Sequence, residues 1–147
     1  MSDPIALGLP HREPFIFVDR VTAHTPGESA DAMKTFPPET PFFAGHFPGE
    51  PLVPGVILAE ALAQTAGIAA GQPGRAFRLT ALKGIKFPAA ARPNEEIALH
   101  ARKLAEMGGL WQFDVRATVA GRVVAEGIVV LSEVKGPLEA AIRTNVI

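Results

Sequence analysis

Two ionisable side chains of this 147-residue chain have neighbours that suit proton transfer. His46 lies within FFAGHFPG at 42–49, where glycine and proline favour a tight loop among aromatic side chains. Imidazole titrates near neutral pH, so a histidine held still in such a loop can accept a proton from a bound molecule. We therefore predict that His46 is a general base.

Glu60 is the matching candidate for the proton donor. Alanine, leucine and isoleucine surround it in GVILAEALAQTAGIAA at 55–70, where loss of water disfavours the carboxylate and raises the pKa of the carboxyl group. Gln64 follows four residues later, so on a helix the two side chains share a face and the amide could fix the Glu60 rotamer. A Glu60 that faces water is the alternative, but a helix that is apolar on every side has no evident wet face.

These residues depend on one element, because 55–70 is predicted to be a buried helix rich in alanine and leucine and free of proline. Pro54 suits its first turn and Gly71 its end. The N–H of Gly55 would be free in that first turn, where the helix dipole favours an anion, so Gly55 is a candidate oxyanion donor. The alternative is that Pro54 and Gly55 only start the helix.

Alternating apolar and polar residues predict six β-strands around this helix. Glycines at 108–109 and 121 separate the last three strands, which indicates hairpins and a largely antiparallel sheet. Residues 1–147 are therefore predicted to be one α+β domain in which a curved antiparallel sheet wraps a long central helix. The predicted strands are Phe15–Ala23, Asp31–Phe36, Phe77–Phe87, Glu95–Ala105, Leu110–Ala120 and Arg122–Glu133.

The amino-acid composition excludes several classes of function. The chain has no cysteine, which excludes thiol nucleophiles, disulfides and iron–sulfur clusters. Its net charge of −1 offers no basic field for nucleic acid. The predicted helix is shorter than the roughly 20 residues that a bilayer requires, and the first residues lack the basic and apolar pattern of a signal peptide. We expect a cytoplasmic protein with no membrane segment.

Other histidines and aromatic residues have simpler interpretations. His11, His24 and His100 are interpreted as structural or solvated. Some of the phenylalanines could line an apolar channel or could belong to the core, and these are Phe36, Phe42, Phe43, Phe47 and Phe87.

The string GHFPGEPLVPGVILAEALAQ at 45–64 resembles the signature of the FabZ-type 3-hydroxyacyl-acyl-carrier-protein dehydratases. LPHREPFIFVDRV at 9–21 resembles the amino-terminal segment of the same family, and the order of the later strands is similar too. The resemblance implies the hotdog fold and side-by-side dimers, often assembled as trimers of dimers. It also implies that His46 of one subunit meets Glu60 of the other in a tunnel at the dimer interface.

The reaction implied by the resemblance is reversible syn elimination of water from a (3R)-hydroxyacyl thioester, giving a trans-2-enoyl thioester for fatty-acid elongation. His46 would remove the α-proton and Glu60, oriented by Gln64, would protonate the departing hydroxyl. The N–H of Gly55 would polarise the thioester carbonyl. FabA-type dehydratase-isomerases carry aspartate at the position of Glu60, so the chain resembles the non-isomerising branch.

The resemblance also implies that the substrate arrives on acidic acyl carrier protein and that no metal or other cofactor takes part. The phenylalanines Phe43, Phe47 and Phe87 are candidates for the acyl tunnel. The candidate carrier-protein patch is Arg75, Arg78, Lys83, Lys86 and Arg92, whose alternative is ordinary solvated surface.

Two other functions remain open at this point. In a hotdog thioesterase, Glu60 would activate water against the carbonyl and the product would be a free thiol. In an acyl-thioester-binding module there would be no reaction, and the presence of both His46 and Glu60 argues against this second alternative.

Overall fold

The structure of the chain is a computed structural model that describes residues 2–71 and 76–134. Within these residues it contains one α-helix, a short 3-10 helix at Pro41–Ala44 and six β-strands. The helix, α1, is Gly55–Ala70. The strands are β1 Arg20–Thr25, β2 Ser29–Thr35, β3 Ala76–Lys86, β4 Glu96–Met107, β5 Leu110–Val119 and β6 Arg122–Val134.

Helix α1 has the bounds that the sequence predicts. The carbonyl of Pro54 accepts hydrogen bonds from the N–H groups of Ile57 and Leu58, and the N–H of Gly71 donates to the carbonyl of Ile68 at the other end. The helix is buried on nearly every side, with alanine and leucine packed against the sheet. No helix in the described ranges is long and apolar enough to cross a bilayer.

The strands form one antiparallel sheet in the order β1-β2-β4-β5-β6-β3. Apolar side chains alternate along the strands toward α1, as at Ile97, Leu99 and Ala101 in β4, which places the core between sheet and helix. The connection through α1 separates β2 from β3, so β4 pairs with β2 and β3 lies at the edge beside β6. The predicted α+β architecture of an antiparallel sheet around one long helix is confirmed, and it agrees with the hotdog fold that the family resemblance implies.

The edge strand β3 bends where its pairing with β6 becomes irregular. The register shifts between Lys83 and Lys86, and Gly84 has φ 58°. Opposite this bulge, a Cβ on Gly127 would lie 2.6 Å from the Ile85 side chain, and Gly127 itself has φ 157°. Only glycine fits there, so the two glycines allow the local bend of the strand pair.

The first predicted strand is wrong in its first half, because β1 begins at Arg20 and not at Phe15. The apolar residues before Arg20 run along α1 instead of along a strand. The carboxamide of Gln64 accepts the N–H of Phe17 (2.9 Å) and donates to the carbonyl of Phe15 (3.0 Å). A side chain of the helix thus supplies the hydrogen bonds of Phe15 and Phe17 that a neighbouring strand would supply, and backbone bonding to β2 begins with the N–H of Asp19, which donates to Met33.

Candidate active site

Glu60 lies in the middle of α1 with its side chain 15% exposed. Burial raises the pKa of this carboxyl group above its ordinary value, and the hydrogen bond from Gln64 lowers it in part. The helix turns Glu60 toward the amino-terminal segment, so the interpretation of this residue as solvated does not hold. Glu60 therefore has the environment of a carboxylic acid that keeps its proton closer to neutral pH.

Gln64 connects Glu60 to the backbone of the amino-terminal segment. Its side chain is fully buried, and its Nε2 donates to Glu60 Oε2 (3.1 Å) and to the carbonyl of Phe15. The N–H of Phe17 must meet an acceptor, which identifies the facing atom of Gln64 as its oxygen. The amide cannot rotate by 180° without losing these bonds, so Glu60 Oε2 always faces a donor.

His11 is a third member of this polar group, although its sequence neighbours suggested only a structural or solvated residue. Its ring is buried, and its Nε2 lies 3.6 Å from Glu60 Oε2. The separation of 49 residues gave no local signal for this contact. The one available clue was that His11 lies inside the segment 9–21 that carries the family resemblance.

His46 is half-buried in the loop before α1, where its ring stacks on Phe47 with 4.1 Å between centroids. Its Nδ1 lies 3.1 Å from the carbonyl oxygen of Leu52. A carbonyl oxygen only accepts, so in the neutral ring Nδ1 carries the hydrogen and Nε2 carries the lone pair. His46 therefore has the tautomer that a general base requires, with Nε2 as the basic atom.

A cavity of about 350 Å³ adjoins His46 and the start of α1. Gly55 and Phe87 line it, and a Cβ on Gly55 would lie 3.2 Å from the Phe87 ring. The N–H of Gly55, at the first position of the helix, has no acceptor within the helix. The remaining lining is apolar, from Leu52, Val53, Leu58 and Ala89–Ala91. The cavity thus combines a base and a backbone donor in apolar surroundings.

The His46 cavity and Glu60 lie on different faces of α1. Gly55 and Leu58 line the cavity, whereas Glu60 does not. At about 100° per residue, Glu60 is rotated by about 140° from Gly55 and about 160° from Leu58. Within one chain, the predicted base and the predicted acid therefore face roughly opposite sides of the helix.

The phenylalanines predicted to line an acyl channel divide between core and surface. Phe36 and Phe43 are buried in the core, while Phe47 and Phe87 are about half exposed. Phe87 borders the His46 cavity, but Phe43 and Phe47 line a separate surface pocket beside the same loop. Of the three tunnel candidates, Phe87 is the one that adjoins both His46 and Gly55.

The five predicted basic residues do not form one patch. Lys86 and Arg92 flank the segment that lines the His46 cavity, and both are exposed. Arg78 is exposed near the other end of β3, roughly 25 Å from Lys86 at the ordinary rise of a strand. Lys83 and Lys86 line one surface pocket, together with the acidic Asp114 and Glu126. Arg75 lies outside the described residues.

Comparison with known proteins gives one consistent family. The model of the FabA-like domain matches residues 9–128. A 3-hydroxyacyl-acyl-carrier-protein dehydratase FabZ of Nitratidesulfovibrio vulgaris (strain DP4) is 39% identical over 126 residues, which cover 82% of each chain. The FabZ of Polynucleobacter necessarius subsp. necessarius (strain STIR1) is 39% identical over 137 residues, 86% of this chain and 92% of its own.

Solved structures with low sequence identity share the fold. The dehydratase heterocomplex ApeI:P from Xenorhabdus doucetiae aligns with a TM-score of 0.76 at 14% identity over 99% of both chains. A hypothetical thioesterase protein with coenzyme A from Streptococcus pneumoniae aligns with a TM-score of 0.66 at 11% identity over 80% of this chain and 87% of its own. At these identities the likeness concerns the fold alone.

Proposed function

The chain belongs to the FabA-like family and is a dehydratase of the FabZ type, and from this premise we propose that it acts on (3R)-hydroxyacyl thioesters of acyl carrier protein through His46 and Glu60. The product is the trans-2-enoyl thioester used in fatty-acid elongation. The observation that carries the assignment of roles is the contrast between a buried carboxyl with a raised pKa and an imidazole whose Nε2 is left as the acceptor.

In the proposed reaction His46 Nε2 takes the proton from the α-carbon of the thioester, and the electron pair of that C–H bond forms the C2–C3 double bond. The negative charge that develops on the thioester oxygen is stabilised by the N–H of Gly55. The bond from C3 to the hydroxyl oxygen breaks as Glu60 protonates that oxygen, so water leaves. Transfer of a proton from His46 back to Glu60, through solvent, restores the enzyme.

The hydrogen bonds of Glu60 indicate which of its oxygens donates. Oε2 accepts from Gln64 and also faces His11. An oxygen that accepts from an amide N–H cannot direct its own hydrogen along the same line, so the acidic proton belongs on Oε1. We therefore assign Oε1 as the atom that protonates the leaving hydroxyl.

The direct test of the activity is incubation of the purified protein with 3-hydroxyacyl thioesters of carrier protein with short, medium and long acyl chains. The expected product is the enoyl thioester, detected by mass and by ultraviolet absorbance, and the reverse hydration should occur as well. Free thiol without enoyl product would instead indicate a thioesterase. Binding of the thioester without any product would contradict the proposed chemistry.

The active site is proposed to be shared by two subunits. Base and acid face roughly opposite sides of α1 in one chain, so a second copy is needed to bring a His46 to each Glu60.

Two further features support a dimer. The outer edge of β3 has no strand partner among the described residues. Val56 at the start of α1 is 76% exposed, and Phe87, whose ring lies against Gly55, is 47% exposed. Exposed apolar groups and an open sheet edge suit a second copy. A trimer of dimers is the larger assembly proposed.

Mixing two inactive variants tests the shared site. His46→Ala and Glu60→Ala protomers are unfolded together, refolded and assayed. A random mixture should recover about a quarter of the wild-type rate, since half of the dimers are mixed and one of their two sites is intact. Each variant refolded alone is the control. A mixture no more active than either variant would contradict a site built from both subunits.

Acyl carrier protein is the partner implied by the family, and we propose that it docks near Arg92 and Lys86. Arg92 follows the cavity-lining residues Ala89–Ala91 and lies 3.9 Å from Glu50, an exposed and therefore weak ion pair. Lys86 precedes Phe87 at the same cavity. Both cations are thus close to where a thioester would enter. A cytoplasmic location is part of the same proposal.

Charge reversal distinguishes these two cations from the rest of the predicted patch. Arg92→Glu and Lys86→Glu should raise KM for the carrier-protein substrate severalfold and weaken its dependence on salt, because rim charges mainly affect association. A short thioester without carrier protein should be turned over as before. Arg78→Glu is the matched control, on the same strand as Lys86 but distant from the cavity. An equal effect of Arg78→Glu would contradict the proposed location.

A further inference from the structure

Glu60 Oε2 has a second polar neighbour besides Gln64. His11 Nε2 lies 3.6 Å from it, and the two side chains are 4% and 15% exposed. The distance exceeds that of an ordinary hydrogen bond but lies within the range of an ion pair. Because both groups are largely removed from water, the attraction between a protonated His11 and a Glu60 carboxylate is screened much less than that of a surface pair.

The position of His11 is fixed by contacts on both sides of it. Arg12 Nη1 lies within 2.8–3.2 Å of the three successive carbonyl oxygens of residues 9–11, which holds the chain at His11 in a tight turn. Further along, Gln64 holds the backbone of Phe15 and Phe17. The imidazole is therefore presented to α1 by an anchored segment and does not depend on its own rotamer alone.

No other charge within the described ranges forms an ion pair with Glu60. Helix α1 carries no second ionisable residue. The strands that pack on it turn apolar side chains inward, as at Ala32 in β2, Leu99 in β4 and Val115 in β5. The other ionisable group expected near Glu60 is His46 of the partner subunit, in the dimer proposed above. Among the described residues, His11 is thus the one ionisable group of this chain that faces the Glu60 carboxyl, beside the neutral donor Gln64.

We propose that His11 is a positioning residue for Glu60, which faces Oε2, keeps the acidic proton on Oε1 and stabilises the carboxylate that remains after the proton has passed to the leaving hydroxyl. This inference rests on the proposed role of Glu60 as the acid. Gln64 and His11 occupy one carboxylate oxygen together, and the other oxygen is left for the substrate. In the reverse hydration the same contact holds Glu60 as the base that accepts a proton from water.

Two variants of His11 separate charge from shape. His11→Leu removes every polar atom, whereas His11→Gln retains an N–H donor directed at Oε2 but cannot become a cation. We expect kcat to fall about tenfold to a hundredfold in His11→Leu, with KM nearly unchanged, and by less in His11→Gln. His100→Leu is the matched control, because His100 contacts Asp31 on the outer face of the sheet.

A second measurement reports on Glu60 without turnover. The carboxyl carbon of Glu60, assigned by its absence in Glu60→Gln, is titrated by carbon-13 NMR. If His11 stabilises the carboxylate, the pKa of Glu60 should be higher in His11→Leu than in the wild type, and the alkaline limb of kcat/KM should move to higher pH with it.

The outcomes decide separately on His11 and on the proposed function. An unchanged Glu60 titration in His11→Leu would overturn the inference, even if kcat fell, because the loss would then be one of packing. A shifted titration with a wild-type kcat would overturn the positioning role. Full turnover by Glu60→Gln would refute the acid role of Glu60 itself, and the NMR titration would still report whether His11 and Glu60 are coupled.

Discussion

The two halves of the proposed site differ in how far a single chain completes them. Around Glu60, Gln64 and His11 come from this chain, and the group is buried and hydrogen-bonded. Around His46, the loop fixes the tautomer through Leu52, but the cavity remains open and apolar residues are exposed beside it.

This difference suits the two proposed roles of the residues on either side of one helix. The proposed acid, Glu60, requires exclusion of water, which the helix interior and the amino-terminal segment provide within the chain. The proposed base, His46, requires an accessible nitrogen, and it lies in the loop before the helix, near the free N–H of Gly55. In the proposed mechanism the half around Glu60 holds the acidic proton, and the half around His46 receives the substrate and the second subunit.

The largest effect is expected from removing the acid or the base. Glu60→Gln keeps the volume and accepts the hydrogen bond from Gln64 but has no acidic proton. Its kcat should fall about a hundredfold to ten-thousandfold, as should that of His46→Ala, with little change in substrate binding. Steady-state kinetics checks this. Near wild-type turnover by either variant would show that the two halves do not have the assigned roles.

Gln64→Leu should have the next largest effect, and this effect should be confined to the half of the site around Glu60. It leaves the N–H of Phe17 and the carbonyl of Phe15 without partners, so the free energy of unfolding should fall by about 2–4 kcal/mol. Denaturant unfolding measures this at fixed protomer concentration. Thr65→Val is the matched control, since Thr65 is equally buried but bonds only the carbonyl of Ala61, and it should cost less than about 1 kcal/mol. Equal losses would contradict the special position of Gln64.

Gly55→Ala tests the half of the site around His46. Its methyl group would meet the Phe87 ring at 3.2 Å, so either the ring or the first turn of α1 must shift. We expect kcat/KM to fall about tenfold. This is less than the loss expected when an oxyanion donor is removed, because the N–H of residue 55 is displaced but retained. Phe87→Leu in the same chain should recover much of the rate, with Phe87→Leu alone as the control. Additive losses in the double variant would exclude the ring contact as the cause.

The smallest expected effect is a pH dependence of stability. The pKa of Glu60 is higher in the folded chain than its ordinary value of 4.5, so the folded state holds the proton more tightly than the unfolded state. The resulting stabilisation is fully present below the ordinary pKa of the unfolded chain and is lost as the pH rises through the higher pKa of the folded chain. Relative to Glu60→Gln, the wild type should become less stable across this window. A constant difference between the two unfolding free energies would contradict the burial argument.

Much of the fold and part of the site follow from local spacing. The helix at 55–70, the late hairpins and the contact of Glu60 with Gln64 are predicted from residues near each other in the chain. An i, i+4 pair meets on any helix, whatever the rest of the fold. The first predicted strand was wrong in its first half because alternation at 15–17 cannot reveal that the hydrogen-bond partner is a glutamine side chain.

The tertiary structure alone decided which distant residues meet. The sequence determined the types of the groups, an imidazole in a tight loop and a carboxyl in an apolar helix, but not their faces. Packing of the amino-terminal segment on α1 brought His11 to Glu60 across 49 positions, and the length of β3 separated Arg78 from Lys86. Such contacts and separations depend on how segments that are distant in the sequence pack against each other, and this packing leaves no local pattern in the sequence.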